Sequence, residues 1–506
     1  MLRNKNKIAM SSLAVFFGAL LTGVLATSST AYADKPLRVG SKKFTENVIL
    51  GEIATLMVRN AGFTATHTRE LGGTRILWSA LIKGDIDIYP DYTGTITHEI
   101  FANRSFKQNS EIHKALAEHG IRMTRPIGFN NTYAIGVPQK VADKFNLQKI
   151  SDLKLHPQLR MGFSNEFMER NDGWPGLKRR YGLDHKNVTG LDHDLAYRAI
   201  DSGSLDVMDL YATDAEIQYY NIKALEDDQN YFPKYDAVYL YRIEAAVENE
   251  GLEDALFAIE GLIDADQMSA LNAQSKFQKD PARKVAAEFL KQELTLSIKV
   301  ENRNFLKELR THTYNHLYLV LISLFAAIIF AVPVGILAAK VKSFGQLTLG
   351  IVSVVQTIPS LALLVFMIPL LGIGSTPAIV ALFLYSLLPI VRNTYQGIIN
   401  VDSGLQEAAL AIGLPPSWRL LKIELPLAAG SILAGIKTAA VINIGTATLG
   451  ALIGAGGYGQ PILTGIRLDD FQLILMGAVP AALMALLAQG MFDLAERYFF
   501  SGALKQ

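Results

Sequence analysis

Over the first three hundred residues, apolar positions come in short groups separated by charge, and their period switches repeatedly. PLRVGS reads as a strand, NVILGEIATLMVRNAG as a helix closed by Gly62, and FTATHTR as a strand again. DIDIYPDY, RMGFS and SLDVMDLYA are further strands, with helical stretches such as DLAYRAIDSG among them. This alternation predicts an α/β region with largely parallel sheets, and residues 34–303 suffice for two lobes with a crevice between them.

After KVENRNFLKELRTHTYNH the pattern changes. Residues 317–339 carry no charge, and after Lys340 and Lys342 none appears in 343–391. About 20 residues cross the hydrocarbon of a bilayer, so the second stretch holds two spans broken near GIGSTP. Residues 427–453 and 471–494 add two more, making five. Lys340 and Lys342 follow the first predicted span, Arg392, Arg419 and Lys422 the third, and Arg497 and Lys505 the fifth. All fall on one side, which the positive-inside rule makes cytoplasmic; GAGGYGQ, Asp469 and Asp470 fall on the other. The N-terminus agrees. MLRNKNK, an apolar run over 8–25 and Ala31-Tyr32-Ala33 form the pattern of a secretory signal cleaved before Asp34, with an uncleaved anchor as the alternative.

Composition narrows the function. Hydrophobic residues make up 50% of the 506, which suits a protein that is part soluble and part membrane-embedded. A net charge of +1 provides no global basic face, so no nucleic-acid partner is expected. Without cysteine there are no disulfides, thiolate metal sites or cysteine nucleophiles, and the nine histidines show no HExxH spacing. No catalytic residue, metal or cofactor is expected.

Between the third and fourth predicted spans lies EAALAIGLPPSWRLLKIELP, residues 407–426. It reads as a short helix ended by glycine, a proline-bounded turn and a second helix halted at Pro426. On that reading alone an interfacial connector stays open. Glu407-Ala408-Ala409, three residues, Gly413, nine residues, Ile423, one residue and Leu425-Pro426 resemble the EAA loop of permease subunits of ABC importers, with every position of the pattern met. The resemblance implies coupling helices that dock in a groove of an ATPase. Small side chains at Ala408 and Ala409 allow close approach, and Gly413 permits a sharp turn. The chain lacks GxxxxGK[ST], so the ATPase must be a partner subunit. One permease unit per chain further implies a homodimer around a shared pore. Lys437, inside the fourth span, is either a functional charge or one that snorkels or packs in the bundle.

The soluble half is rich in tyrosines at strand ends. A quaternary ammonium cannot donate a hydrogen bond and is held by electron-rich ring faces, so converging tyrosines would make a cage; ordinary packing with a wet hydroxyl is the alternative. VGSKKFTEN, LGGT, DIDIYPDYTGT, NNTYAIGV, FMERNDGWPGLKRRYG, LYATDAEI and DDQNYFPKYDAV resemble the binding proteins for glycine betaine, carnitine, choline and related compounds. That resemblance implies cage walls at Tyr92, Tyr133, Tyr211 and Tyr235, with Lys42, Thr95 and Arg170 holding the carboxylate of a zwitterion. Arg75, just after LGGT, would disfavour bare choline by charge, unless it turns outward to pair Asp85 or Glu70.

The combined expectation has three parts: a leader over 1–33, an α/β two-lobed periplasmic-binding-protein-like domain over 34–303, and an all-α five-span ABC importer permease domain over 304–506. It is a multi-pass protein of the bacterial inner membrane, in contact with lipid, with the binding domain on the extracytoplasmic side. The expected ligand is a small quaternary amine, and ergothioneine, a betaine of a different ring, remains open. A membrane amine sensor is the alternative from another class; it would predict signalling helices or an enzymatic tail, whereas the chain ends a few residues after the last span.

Overall fold

The computed structural model describes residues 35–106, 108–296, 298 and 304–500, so the expected leader lies outside the described residues. Ten strands follow in chain order: β1 (Leu37–Gly40), β2 (Ala65–Thr68), β3 (Ile88–Tyr92), β4 (Ile121–Met123), β5 (Tyr133–Pro138), β6 (Met161–Ser164), β7 (Val188–Leu191), β8 (Val207–Tyr211), β9 (Ile222–Leu225) and β10 (Ala237–Arg242). They form two five-stranded sheets, ordered β2-β1-β3-β10-β4 and β7-β6-β8-β5-β9. Each sheet is the core of one lobe. The sheets are mixed, not largely parallel as the alternation suggested. β1 pairs in parallel with β2 and β3, but β10 runs antiparallel to both β3 and β4. β5 likewise runs antiparallel to β8 and β9.

The reason is the path of the chain. It leaves lobe 1 after β4, builds lobe 2 from β5 to β9, and returns as β10 into the middle of the first sheet. The two crossings touch each other: the Asn131 amide donates to the Tyr235 carbonyl (3.0 Å), and the Ala237 amide to that of Phe129 (3.1 Å). This paired crossover is the hinge. Lobe 1 is organised on the Thr45–Asn60 helix, which is buried all round except at its last two residues, Arg59 and Asn60. A helix enclosed in this way lies at the centre of its lobe, and its buried polar residues need partners, which Glu46 and Glu52 have. Here the Leu252–Phe257, Ala265–Lys276 and Ala282–Leu294 helices cover it.

The second half is helical. Among the described residues, four helices are long and apolar enough to cross a membrane: Phe305–Lys340, Ser375–Ile399, Pro416–Ile453 and Phe471–Tyr498. The expected second span is instead a pair, Lys342–Thr357 and Ser360–Leu371, meeting at 98°. Pro359 lacks an amide hydrogen and holds Ile358 extended (ψ 126°), which breaks the helix in a stretch whose apolar composition gives no sign of it. The freed Ile358 carbonyl accepts from the Tyr385 hydroxyl. Glycines let the spans approach closely. A Cβ on Gly335 would lie 2.7 Å from Thr394, one on Gly435 2.7 Å from the Pro389 carbonyl, and one on Gly397 2.9 Å from Ser431.

Candidate functional site

The antiparallel insertion of β5 and β10 gathers the tyrosines. Because β5 runs against β8, its first residue, Tyr133, is in register with the last residue of β8, Tyr211. Because β10 runs against β3, Ala237 faces Tyr92, and Tyr235 comes two residues earlier, on the hinge. Strand ends of both lobes therefore meet at the junction between the lobes, the usual ligand position in α/β sheets. Ring centroids lie 5.2 Å apart for Tyr133 and Tyr211 and 5.4 Å apart for Tyr133 and Tyr235. Phe44 joins the lobes, stacking on Tyr92 at 6.2 Å and on Tyr211 at 5.8 Å. Phe167 and Phe232 pack against Tyr133. All four expected tyrosines thus belong to one aromatic cluster. The three phenylalanines were not singled out in the sequence, where nothing marks them as different from core residues.

Acidic groups surround the cluster. Tyr92 donates its hydroxyl to Glu46 (2.6 Å), Tyr235 donates to Asp172, and the Tyr211 amide donates to Asp214 (2.9 Å). A phenol that donates to a carboxylate has a more electron-rich ring, which strengthens its attraction for a cation. Glu46 receives four donors: Tyr92, Asn131 (2.8 Å), Asn272 (3.2 Å) and the hydroxyl of Thr213. Thr213 belongs to lobe 2 and Glu46 to lobe 1, so this carboxylate ties the lobes together. Burial pushes its pKa up to about 7, against the lowering effect of the Thr213, Tyr92 and Asn272 hydrogen bonds.

The expected cationic residues reach the cluster already paired. Lys42 lies 5.6 Å from the Tyr92 ring centre and donates to Asp91 (2.7 Å). Arg170 lies 5.8 Å from the Tyr133 ring centre, bonded to Glu99 (2.6 Å) and Asp172 (2.5 Å). His193, a further cation missed in the sequence, packs 4.5 Å from Tyr211 between Asp214 (2.9 Å) and Asp209 (3.7 Å). Burial disfavours its charged form, but the two aspartates outweigh burial and hold its pKa well above the ordinary value. Around the rings, Glu46, Asp91, Glu99, Asp172, Asp209 and Asp214 face Lys42, Arg170 and His193. That excess of acid suits a ligand cation.

Thr95 is buried one residue after Gly94, whose Cβ, if present, would lie 2.5 Å from the Tyr235 ring. Arg75 is not brought to the cluster. Its side chain is 73% exposed and its carboxylate neighbour is Glu99 at 3.9 Å. Asp85 and Glu70, the partners expected for it, turn to the helical half instead. Asp85 accepts from the Ile373 amide (3.2 Å), and Glu70 pairs with Arg467 (2.7 Å).

At the opposite end of the Ser375–Ile399 helix, about 37 Å away at 1.5 Å per residue, is the expected coupling loop. Asp402 caps the Ser403–Ala411 helix by accepting from the Leu405 amide (3.0 Å). Gly413, at φ +77°, ends it, with the Leu414 amide returning to the Ala409 carbonyl (3.0 Å). Ala409 is buried, whereas Glu407, Ala408 and Gly413 are exposed. So are Leu410, Ile412, Trp418 and Leu421, an apolar surface beside Glu407. Glu424 is buried between Lys340 and Arg419, which pins the loop to the first span. Lys437 forms a partly exposed ion pair with Asp493 of the last span.

A two-lobed domain with an aromatic cluster between its lobes, seated on a helical bundle with such a loop, defines the binding and permease parts of an ABC importer. The chain belongs to the family of substrate-binding domains of ABC-type glycine betaine transport systems, matched over residues 35–292, and residues 331–500 match the binding-protein-dependent transport system inner membrane component. Among curated relatives, the choline transport system permease protein OpuBB of Bacillus subtilis (strain 168) is 45% identical over 190 residues, 38% of this chain and 88% of that protein. The ergothioneine transport permease/ergothioneine binding protein EgtU of Helicobacter pylori (strain G27) is 32% identical over 286 residues, 55% of this chain and 52% of that protein. Among solved structures, a glycine betaine/carnitine/choline ABC transporter protein is 29% identical with a TM-score of 0.44, covering 51% of this chain and 98% of its own.

Proposed function

We propose that this chain captures a quaternary-ammonium solute such as glycine betaine, carnitine or choline outside the membrane, and as a dimer with an ATPase partner forms the pore that admits it. The observation that carries the ligand assignment is the cluster of Tyr92, Tyr133, Tyr211 and Tyr235, drawn from both lobes and ringed by carboxylates. Such a site attracts a cation that needs no hydrogen bond. Lys42, Arg170 and Thr95 are proposed to meet a ligand carboxylate, which would share Lys42 and Arg170 with their present acids. Arg75, exposed, is left out, and with it the charge argument against choline.

The domain meets the helix ends opposite the basic ones, which supports an extracytoplasmic position for it. Glu407, Ala408, Ala409 and Gly413 are proposed to fit the ATPase groove, with the exposed Leu410, Ile412 and Trp418 as the apolar part of that contact. Residues 1–33 are proposed as the leader. Calorimetry on the purified full-length chain with glycine betaine, carnitine, choline, ergothioneine and proline tests the ligand. At least one quaternary amine should bind and proline should not, and Tyr133→Ala should abolish binding. A Tyr133→Ala chain that binds like the original would refute the cage.

A further inference from the structure

Between the two halves, the contacts are unequal in a way that assigns different roles to the lobes. Lobe 1 is held at three places. Arg467, at the end of the Gly459–Arg467 helix, donates to Glu70 (2.7 Å) and to Thr45 (3.0 Å), and Thr464 donates to Glu70 as well (2.9 Å). Arg467 and Glu70 are 6% and 5% exposed, so this ion pair is sealed from water. Lys83 donates to the carbonyls of Ile368 (2.9 Å) and Pro369 (2.5 Å), and Asp85 accepts from the Ile373 amide. Lys279, in the turn between two helices packed on the Thr45–Asn60 helix, donates to the carbonyls of Leu468 (2.5 Å) and Asp469 (2.7 Å). The tether itself leaves from lobe 1, through the Ala282–Leu294 helix.

The ion pair from lobe 2 is of another kind. Arg198 pairs with Asp469 at 2.7 Å, with side chains 43% and 74% exposed. An exposed pair of this sort contributes little and is easily broken, whereas separating a sealed one leaves charges without water. Backbone geometry marks the same seam. Among the described residues other than glycine and asparagine, positive φ occurs at Glu70 (+61°), Lys279 (+62°), Thr295 (+55°) and Asp469 (+51°). Three of these four lie at this contact, and such conformations persist only where surroundings impose them.

We infer that the binding domain stays seated on the permease through lobe 1 and opens and closes by swinging lobe 2 alone about the 129–131/235–237 hinge, with Arg198–Asp469 as the contact that reports closure. The weaker hold of lobe 2 on the permease follows from these exposures; the swing, which must also part the Arg170–Glu99 and Lys276–Glu216 pairs between the lobes, and its use, loading ligand without undocking, rest on the importer reading.

The chain has no cysteine, so spin labels can be placed singly in its full-length form. Lys114→Cys (lobe 1) and Lys178→Cys (lobe 2) are exposed positions away from both the cage and the seam, and each is combined with Gln472→Cys, exposed at the start of the last span three residues beyond Asp469. With labelled chain diluted into excess unlabelled chain, so that each nanodisc holds one labelled copy, pulsed dipolar distances without ligand should be narrow and single for the lobe 1 pair, and broad or two-peaked for the lobe 2 pair. Adding Arg467→Gln should broaden the lobe 1 pair too. Two broad distributions would mean that the domain leaves as a body, and two narrow ones that lobe 2 does not swing; either overturns the inference. Saturating glycine betaine should collapse the lobe 2 distribution to one short distance. If it does not, while the ligand-free result stands, the ligand assignment fails and the seating does not.

Discussion

The surroundings of Glu46 predict that closure of the binding domain is sensitive to protons. Its carboxyl is buried where Tyr92, Asn131, Asn272 and Thr213 converge, with a pKa near 7 against an ordinary value of 4.5. Burial is the main cause, and the charge of Asp214, itself paired with His193, adds to it. In an open domain Thr213 moves away with lobe 2 and water reaches the carboxyl, returning it toward the ordinary value. The closed form therefore binds more protons than the open form between about pH 4.5 and 7. Closure, and with it ligand affinity, should strengthen as pH falls through that window and level off on either side.

A shift of this size corresponds to about 3 kcal/mol, or roughly 300-fold in affinity across the window and at most tenfold per pH unit. Glu46→Gln removes the titration. Its single oxygen can accept only part of what two carboxylate oxygens accept, and each buried donor left unmet costs about 1–3 kcal/mol. The variant should bind more weakly at pH 5 and show no slope between pH 5 and 7. Calorimetry of the full-length chain with glycine betaine at pH 5, 6, 7 and 8 measures both. A wild-type affinity that is flat or rises with pH, or a slope that survives Glu46→Gln, would refute the reasoning.

Two further outcomes follow from the helical half. Gly413→Val puts a β-branched residue at φ +77° in the exposed loop and should reduce ATP-driven uptake at least about tenfold with ligand affinity unchanged, while Gly413→Asn, which tolerates that conformation, should keep much of it. Uptake unaffected by valine would remove the loop from coupling. Lys437→Ala and Asp493→Ala should each lower the thermal midpoint in detergent and the double variant should recover part of the loss, a coupling on the order of 1 kcal/mol; strictly additive losses would mean the pair contributes nothing.

Much of this architecture was legible in the chain because local periodicity and solvent preference are local properties. β1, β2, β3, β6 and β8, the Thr45–Asn60 helix and the four single long spans fall on segments whose pattern names them. What escaped depends on contacts between distant residues. That β10 would slot antiparallel between β3 and β4 follows from the return of the chain out of lobe 2, which no window of sequence contains. The break at Pro359 hides in an apolar run because hydropathy measures composition and not direction. At the site, the tyrosines were visible through their motifs. Glu46 was not singled out, because what distinguishes it from any charge at a helix start is a set of partners that reaches 85 to 226 residues along the chain, and Arg75, read beside the ligand, lies exposed instead.

Lys83 and Lys279 carry a consequence for how the chain can be divided. A helix leaves its last carbonyls without intrahelical donors, and a cation placed there also offsets the negative end of its dipole. Each of these lysines supplies that cation to a permease helix, at Ile368–Pro369 and at Leu468–Asp469. The caps of two membrane-half helices are thus encoded about 190 to 290 residues upstream, in the other domain. A permease excised from this protein would begin life with two frayed ends at the face that carries the binding domain, and a swap of binding domains between relatives would succeed only if the incoming domain brought lysines to the same two places.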